Sequence, residues 1–209
     1  MARLIYFTTS GSPQHLASLA CWRADWTRTY DVHLYSNRPL APEWRATLRQ
    51  VPARRHNITL DVTRAGHQLG AIRAFVRAKP LFLRYEWVLR TNPDVLVLAP
   101  SAFTAWMRKG SVGAVLANCN PCTRCRADCP DALVHTDFQI FRPELVHWGA
   151  PLAANAEAHA TRVMARMRGR ARWIQDRGFR DRSCRIRAGV REGRAAVVHA
   201  RSHVSACRR

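Results

Sequence analysis

Short apolar runs alternate with segments of helical spacing along most of the chain, and this alternation limits the possible fold more than any other feature. The run Leu4-Ile5-Tyr6-Phe7 opens a strand over 4–9, and Ser12-Pro13 follows as an N-cap and first-turn proline for a helix over 14–26. A second strand is expected at 32–36, a helix from Pro42-Glu43-Trp44 to about residue 50, and a third strand at 58–62. Leu69, Ile72, Phe75 and Val76 fall at helical spacing, and Pro80 bends or restarts that segment before an apolar run begins at Trp87. A helix at 101–108, strands at 112–117 and 135–141, a helix at 152–167 and a late strand at 195–199 complete the pattern. Strands that alternate with helices form a largely parallel central sheet covered on both faces. No repeat or linker divides the pattern, and 209 residues suffice for one buried core, so a single α/β domain over 1–209 is expected.

The segment 87–98 holds the most informative residues. Its apolar strand is interrupted by Asn92-Pro93-Asp94 and resumes with Val95-Leu96-Val97-Leu98, so Asp94 is flanked by chain that belongs in a core. Asn-Pro-Asp is a turn signal and needs no function as such. A carboxylate in that setting is nevertheless costly to desolvate unless donors or a cation meet it. In open α/β sheets, moreover, ligands gather at the carboxyl ends of strands, where Thr91 and Asp94 fall.

Other residues each carry two readings. On the strand at 135–141, alternation points His135, Asp137 and Gln139 away from Thr136, Phe138 and Ile140. Asp137 then either orients and deprotonates a hydroxyl or sits on a merely polar strand face. Arg73 and Arg77, four apart on one helix face, make either a diphosphate clamp or a solvated stripe. The loop at 8–12, with Ser10 and Gly11, can bring backbone N–H groups to a nucleotide, although it is no G-x-G-x-x-G or P-loop. His199, ending an apolar strand, is either a metal ligand or a histidine satisfied by protein hydrogen bonds.

Charge invites a polyanion reading and composition weakens it. The net charge is +20, but only Lys79 and Lys109 are lysines among 34 basic residues, and the arginines are dispersed from Arg3 to Arg209. No reading motif for nucleic acid accompanies them, so specific nucleic-acid binding is not expected. No apolar run approaches the length of a membrane span, and the N-terminus lacks the pattern of a secretory signal.

Three pieces carry a resemblance. The helix with Gly70-Ala71-Ile72-Arg73 before Tyr85-Glu86-Trp87-Val88-Leu89-Arg90-Thr91-Asn92-Pro93-Asp94-Val95, then His135-Thr136-Asp137-Phe138-Gln139-Ile140-Phe141-Arg142-Pro143, then Val197-Val198-His199, together resemble eukaryotic GT-A-like glycosyltransferases. The resemblance implies a Rossmann-like fold that binds a nucleotide-diphospho-sugar and moves the sugar to a hydroxyl of a glycan, protein or small-molecule acceptor. It also implies an Asp-X-Asp motif holding the donor through its ribose and a Mn2+ or Mg2+ ion. Here Asn92 replaces the first aspartate, keeping a hydrogen bond for a ribose but losing charge for a metal. Either Asp94 then acts with His199 toward the metal or the metal has been lost; the other implied roles are Asn92, Arg73, Ser10 and Gly11 toward the donor, and Asp94 and Asp137 in catalysis. The alternative is a non-catalytic GT-A-like protein, or one that binds nucleic acid through its basic surface.

Cys119, Cys122, Cys125 and Cys129, followed by Pro130, have the C-x2-C-x2-C-x3-C-P spacing of an iron–sulfur ligand run, and four thiolates also suit zinc. The second run that a two-cluster ferredoxin needs is missing. The resemblance implies a Golgi or secretory-pathway lumen, where a Cys-rich loop at 119–130 forms disulfides, and seven cysteines leave one thiol over.

Overall fold

A computed structural model describes residues 2–22, 25–62, 67–97, 100–118, 133–175 and 197–199. In chain order the elements are β1 (Arg3–Thr9), α1 (Pro13–Leu19), β2 (Asp31–Ser36), α2 (Glu43–Arg49), β3 (Arg55–Leu60), α3 (His67–Arg77), α4 (Lys79–Phe82), β4 (Trp87–Thr91), β5 (Val95–Val97), α5 (Pro100–Met107), β6 (Ala114–Asn118), β7 (Val134–Phe141), α6 (Ala156–Val163), β8 (Ala171–Gln175) and β9 (Val197–His199). Seven strands form one sheet in the order β3-β2-β1-β4-β7-β6-β8, and β5 pairs with β9 separately. β7 alone runs against the others: β4 and β6 flank it antiparallel, while the remaining pairs are parallel. The largely parallel, helix-covered sheet expected from the alternation is the one observed.

The period-two pattern of β1 divides the core. Ile5 and Phe7 face one side with Leu19, Trp22, Trp44, Trp87, Leu89 and Phe138. Leu4 and Tyr6 face the other with Phe75, Phe82, Val88, Phe141 and Met164. Each such side chain, fully buried, contributes roughly 1.5–3 kcal/mol, which is why both sheet faces need helices over them.

Several elements are shorter or displaced from their sequence expectation, each for a tertiary reason. The helix expected over 14–26 stops at Leu19, and Trp22 turns inward to donate its indole N–H to the Pro93 carbonyl at 3.0 Å. A 3-10 turn at Asp25–Thr29 then lays Trp26 between Trp22 and Tyr30, with ring centroids 5.8 and 5.5 Å away. The strand expected at 58–62 begins earlier, at Arg55, because pairing with β2 sets its register. The helix expected over 152–167 is confined to Ala156–Val163 and capped by Asn155; a 3-10 turn at Ala165–Arg170 and the unforeseen strand β8 follow. As an edge strand bearing Arg172 and ending in Gln175, β8 lacks the apolar alternation that would have marked it.

The run from Trp87 also splits. β4 lies in the main sheet and β5 in the small one, and the Asn92-Pro93-Asp94 turn makes the change of direction, closed by the Val95 amide donating to the Asn92 carbonyl at 3.1 Å. Because β7 is antiparallel, its first residues reach the sheet edge at which β1 and β4 end. That places residues 8–9, 91–94 and 135–137 together.

Candidate active site

The site grows from three strand ends. Thr8 is the last residue but one of β1, and its hydroxyl donates to Asn92 Oδ1 at 2.6 Å. Asn92 Nδ2 donates to Asp137 Oδ1 at 2.8 Å, and the Asn92 amide donates to the Asp137 carbonyl at 3.1 Å. Thr91 adds its hydroxyl to that same carbonyl at 2.9 Å. Asn92 is thus fixed as acceptor on one side and donor on the other, which an aspartate could not be. A second carboxylate here would meet Asp137 with like charge.

Asp94 is 7% exposed. Its Oδ2 lies 3.4 Å from His15 Nε2, and His15 Nδ1 is 2.9 Å from the Thr9 hydroxyl, which accepts the Gly11 amide at 3.0 Å. One arrangement of donors satisfies all of these contacts. The Gly11 N–H donates to Thr9 Oγ1, the Thr9 hydroxyl proton goes to His15 Nδ1, and Nε2–H is left to face Asp94. His15 is held by α1, where the Ser12 hydroxyl caps the helix by accepting the His15 amide at 3.2 Å. Gly11 has φ +76°, the left-handed conformation natural to glycine, and this lets its amide turn back to Thr9. His15 gave no signal in sequence, because its partner is far away in the chain.

Asp137 keeps its second oxygen 3.8 Å from His135 Nδ1 and is a quarter exposed, so it borders solvent. His135 Nδ1 accepts the Asp137 amide at 3.1 Å, which makes that nitrogen the unprotonated one. The alternation expected on β7 breaks here. Thr136 reaches α6, donating to Glu157 Oε1 at 3.1 Å, while Phe138 and Ile140 stay in the opposite core. The cause is an irregularity in the pairing with β6, whose partner steps from Gln139 opposite Leu116 to Val134 opposite Asn118.

Arg73 is exposed on α3 and makes no hydrogen bond or ion pair among the described residues. Arg77, its presumed partner in a clamp, is taken by Asp61, which also accepts the Tyr35 hydroxyl at 2.8 Å. Hydrogen bonding from Arg77 holds the Asp61 carboxyl below its ordinary value, against burial. Ser10 sits with Gly11 in the loop after β1. β9 brings the backbone of His199 opposite Val95, next to Asp94 in register. The cysteines at 119–130 lie outside the described residues.

Among the described residues no group of three or more His, Cys, Asp or Glu side chains is placed to hold a metal. An ion completed by substrate phosphates needs only one or two protein ligands. Asp94, buried at the turn, is one carboxylate of the kind such an ion uses. No helix among the described residues is long and apolar enough to cross a membrane.

No protein-family model and no curated protein matches the chain. Solved structures do. The apo WbbM bifunctional glycosyltransferase superposes with a TM-score of 0.57 at 14% identity, covering 95% of this chain and 45% of that one. A mannosyltransferase from Pyrobaculum calidifontis, in complex with GDP-Man and Mn2+, gives 0.51 at 17% identity over 83% and 54% of the two chains. The glycosyltransferase GlyE of Streptococcus pneumoniae, in its apo form, gives 0.54 at 10% identity over 95% and 54%. The chain spans about half the length of these structures. Its fold is the GT-A type of these glycosyltransferases.

Proposed function

We propose that the protein is a glycosyltransferase that moves a sugar from a nucleotide-diphospho-sugar to a hydroxyl acceptor. One observation carries the reading: at the carboxyl ends of β1 and β4, Asn92 is hydrogen-bonded to Asp137 while Asp94 faces His15 across the same turn. Two carboxylates are thereby held apart by an amide at the sheet edge where α/β folds bind ligands. Asp137, part-exposed, is oriented to accept the proton of an acceptor hydroxyl. Asp94 holds the diphosphate side, with His199, Asn92 directs the ribose, and Arg73, Ser10 and Gly11 line the approach to the phosphates. When bound, Mn2+ or Mg2+ would neutralise charge developing on the leaving diphosphate.

We also propose that residues 1–209 form one domain with disulfides in the loop at 119–130, in a Golgi or other secretory-pathway lumen. Seven cysteines, four of them within 119–130, are what supports an oxidising compartment. Four free thiols, or stoichiometric iron, in oxidised protein would overturn that assignment.

The deciding experiment is turnover by folded wild type, Asp94→Asn and Asp94→Ala with a donor first identified by thermal shift. Loss of charge at the diphosphate side lowers turnover by roughly two to four powers of ten in both variants. Turnover at the wild-type level in both rejects the assignment. If no nucleotide-sugar shifts the melting temperature and polyanions do, the protein is instead a non-catalytic member of the fold.

A further inference from the structure

Arg90 is 3% exposed, yet it forms no ion pair among the described residues. It lies on the face of β4 opposite Leu89, between α3 and α6. Its polar partner is Gln139 Oε1 at a long 3.5 Å, its guanidinium carbon stands 5.5 Å from the Phe75 ring centre, and its Nε has no hydrogen-bond partner. His159, on α6 and also 3% exposed, lines the same cleft, and neither of its ring nitrogens makes a hydrogen bond of acceptable geometry. Thr136 contributes the third polar wall, with Ile72 and Phe75 closing the apolar side. The cleft is small and opens to solvent, with about 10 Å³ of room inside, enough for one oxygen-sized group.

A buried guanidinium without a counter-ion costs several kcal/mol, and a neutral water answers its hydrogen-bonding needs but not its charge. Asp137 and Glu157 act on Arg90 only at a distance, and burial pushes its ionisation down against their pull. Burial likewise lowers His159, opposed by the Pro151 carbonyl and reinforced by Arg162 and Arg90. Among the described residues no anion meets the Arg90 charge directly. Resting on the glycosyltransferase reading for its place beside Asp137, we infer that this cleft receives one oxygen of a substrate carboxylate or phosphate on Arg90 and His159, the rest of the group staying at its open mouth.

The shared chemistry has two sources, an acidic sugar or the nucleotide diphosphate. Thermal melts of the full chain at constant ionic strength separate them, with glucuronate, UDP and neutral glucose as probes against wild type, Arg90→Met and His159→Leu. At tenfold over its dissociation constant the correct anion raises the melting temperature by about 3–5 °C, and glucose does not. Arg90→Met removes that shift while, without ligand, melting at or above wild type, because an apolar chain replaces an unpaired buried charge. A glucuronate shift lost in the variants identifies an acidic sugar, and a UDP shift lost in them identifies the diphosphate. Should Arg90→Met fail to fold, His159→Leu carries the same comparison. The inference is overturned if neither anion stabilises wild type beyond glucose, or if the shift survives in the folded variants. A nucleotide-sugar shift indifferent to both substitutions would overturn this inference and leave the glycosyltransferase reading standing. A glucuronate shift that needs Arg90, with no nucleotide-sugar bound, would do the reverse.

Discussion

Asn92 is the residue on which the site turns. Its amide joins Thr8 to Asp137, so replacing it by aspartate puts two carboxylates at hydrogen-bond distance and removes a donor. Asn92→Asp should lower stability at neutral pH by roughly 1–3 kcal/mol, the cost of leaving a buried partner unsatisfied, and recover part of it at acidic pH as the pair takes up a proton. Denaturant titrations at two pH values check this; an Asn92→Asp midpoint unchanged at neutral pH would show that the amide is not structural. A second expectation concerns the ion. With one buried carboxylate at the turn, Mn2+ alone should leave the melting temperature of wild type unchanged, and should raise it only together with a nucleotide-sugar. A large shift from Mn2+ alone would reveal a complete site that the described residues do not contain.

At the scale of elements, α1 is a short helix whose start matters more than its length. Ser12 caps it by accepting the His15 amide, and the same contact fixes where His15 meets Asp94. Ser12→Ala should cost about 1 kcal/mol by equilibrium denaturation. It should also weaken donor binding by more than a capping loss at a remote helix does. Asn155→Ala, which removes the cap of α6, is the matching control for stability. Equal donor affinity in the two variants would separate α1 from the site.

Over the whole molecule, the buried histidines set the acid limit. His33 stacks on Tyr6 with ring centroids 5.3 Å apart, and burial lowers its pKa to about 4. Its folded value lies below the unfolded one near 6.5, so the unfolded chain takes up the proton first. The stability linked to neutral His33 is complete above pH 6.5 and falls as pH drops from there toward 4; His159, also shifted down, adds in the same direction. Denaturation midpoints measured from pH 7.5 to 4 should decline, and less steeply in His33→Gln. A parallel decline in the variant would assign the effect elsewhere. Net charge of +20 acts at the same scale: any DNA binding should disappear by physiological salt and show no sequence preference in a filter-binding titration.

Local sequence by itself determined the alternation of strands and helices, and through it the parallel, two-sided sheet, because apolar period and turn chemistry are properties of neighbouring residues. It also singled out Asn92 and Asp94, since a carboxylate between apolar runs contradicts its surroundings. Tertiary structure alone decided what these residues meet. Asp137 joins Asn92 from far along the chain only because β7 runs antiparallel beside β4, a pairing order no local pattern encodes. His15 joins Asp94 because Trp22 ends α1 early to reach Pro93, and Arg90 meets His159 because α6 packs against α3 over β4. Contacts of this kind depend on which strand lies next to which, and that is settled by burying both faces of the sheet at once rather than by any single segment.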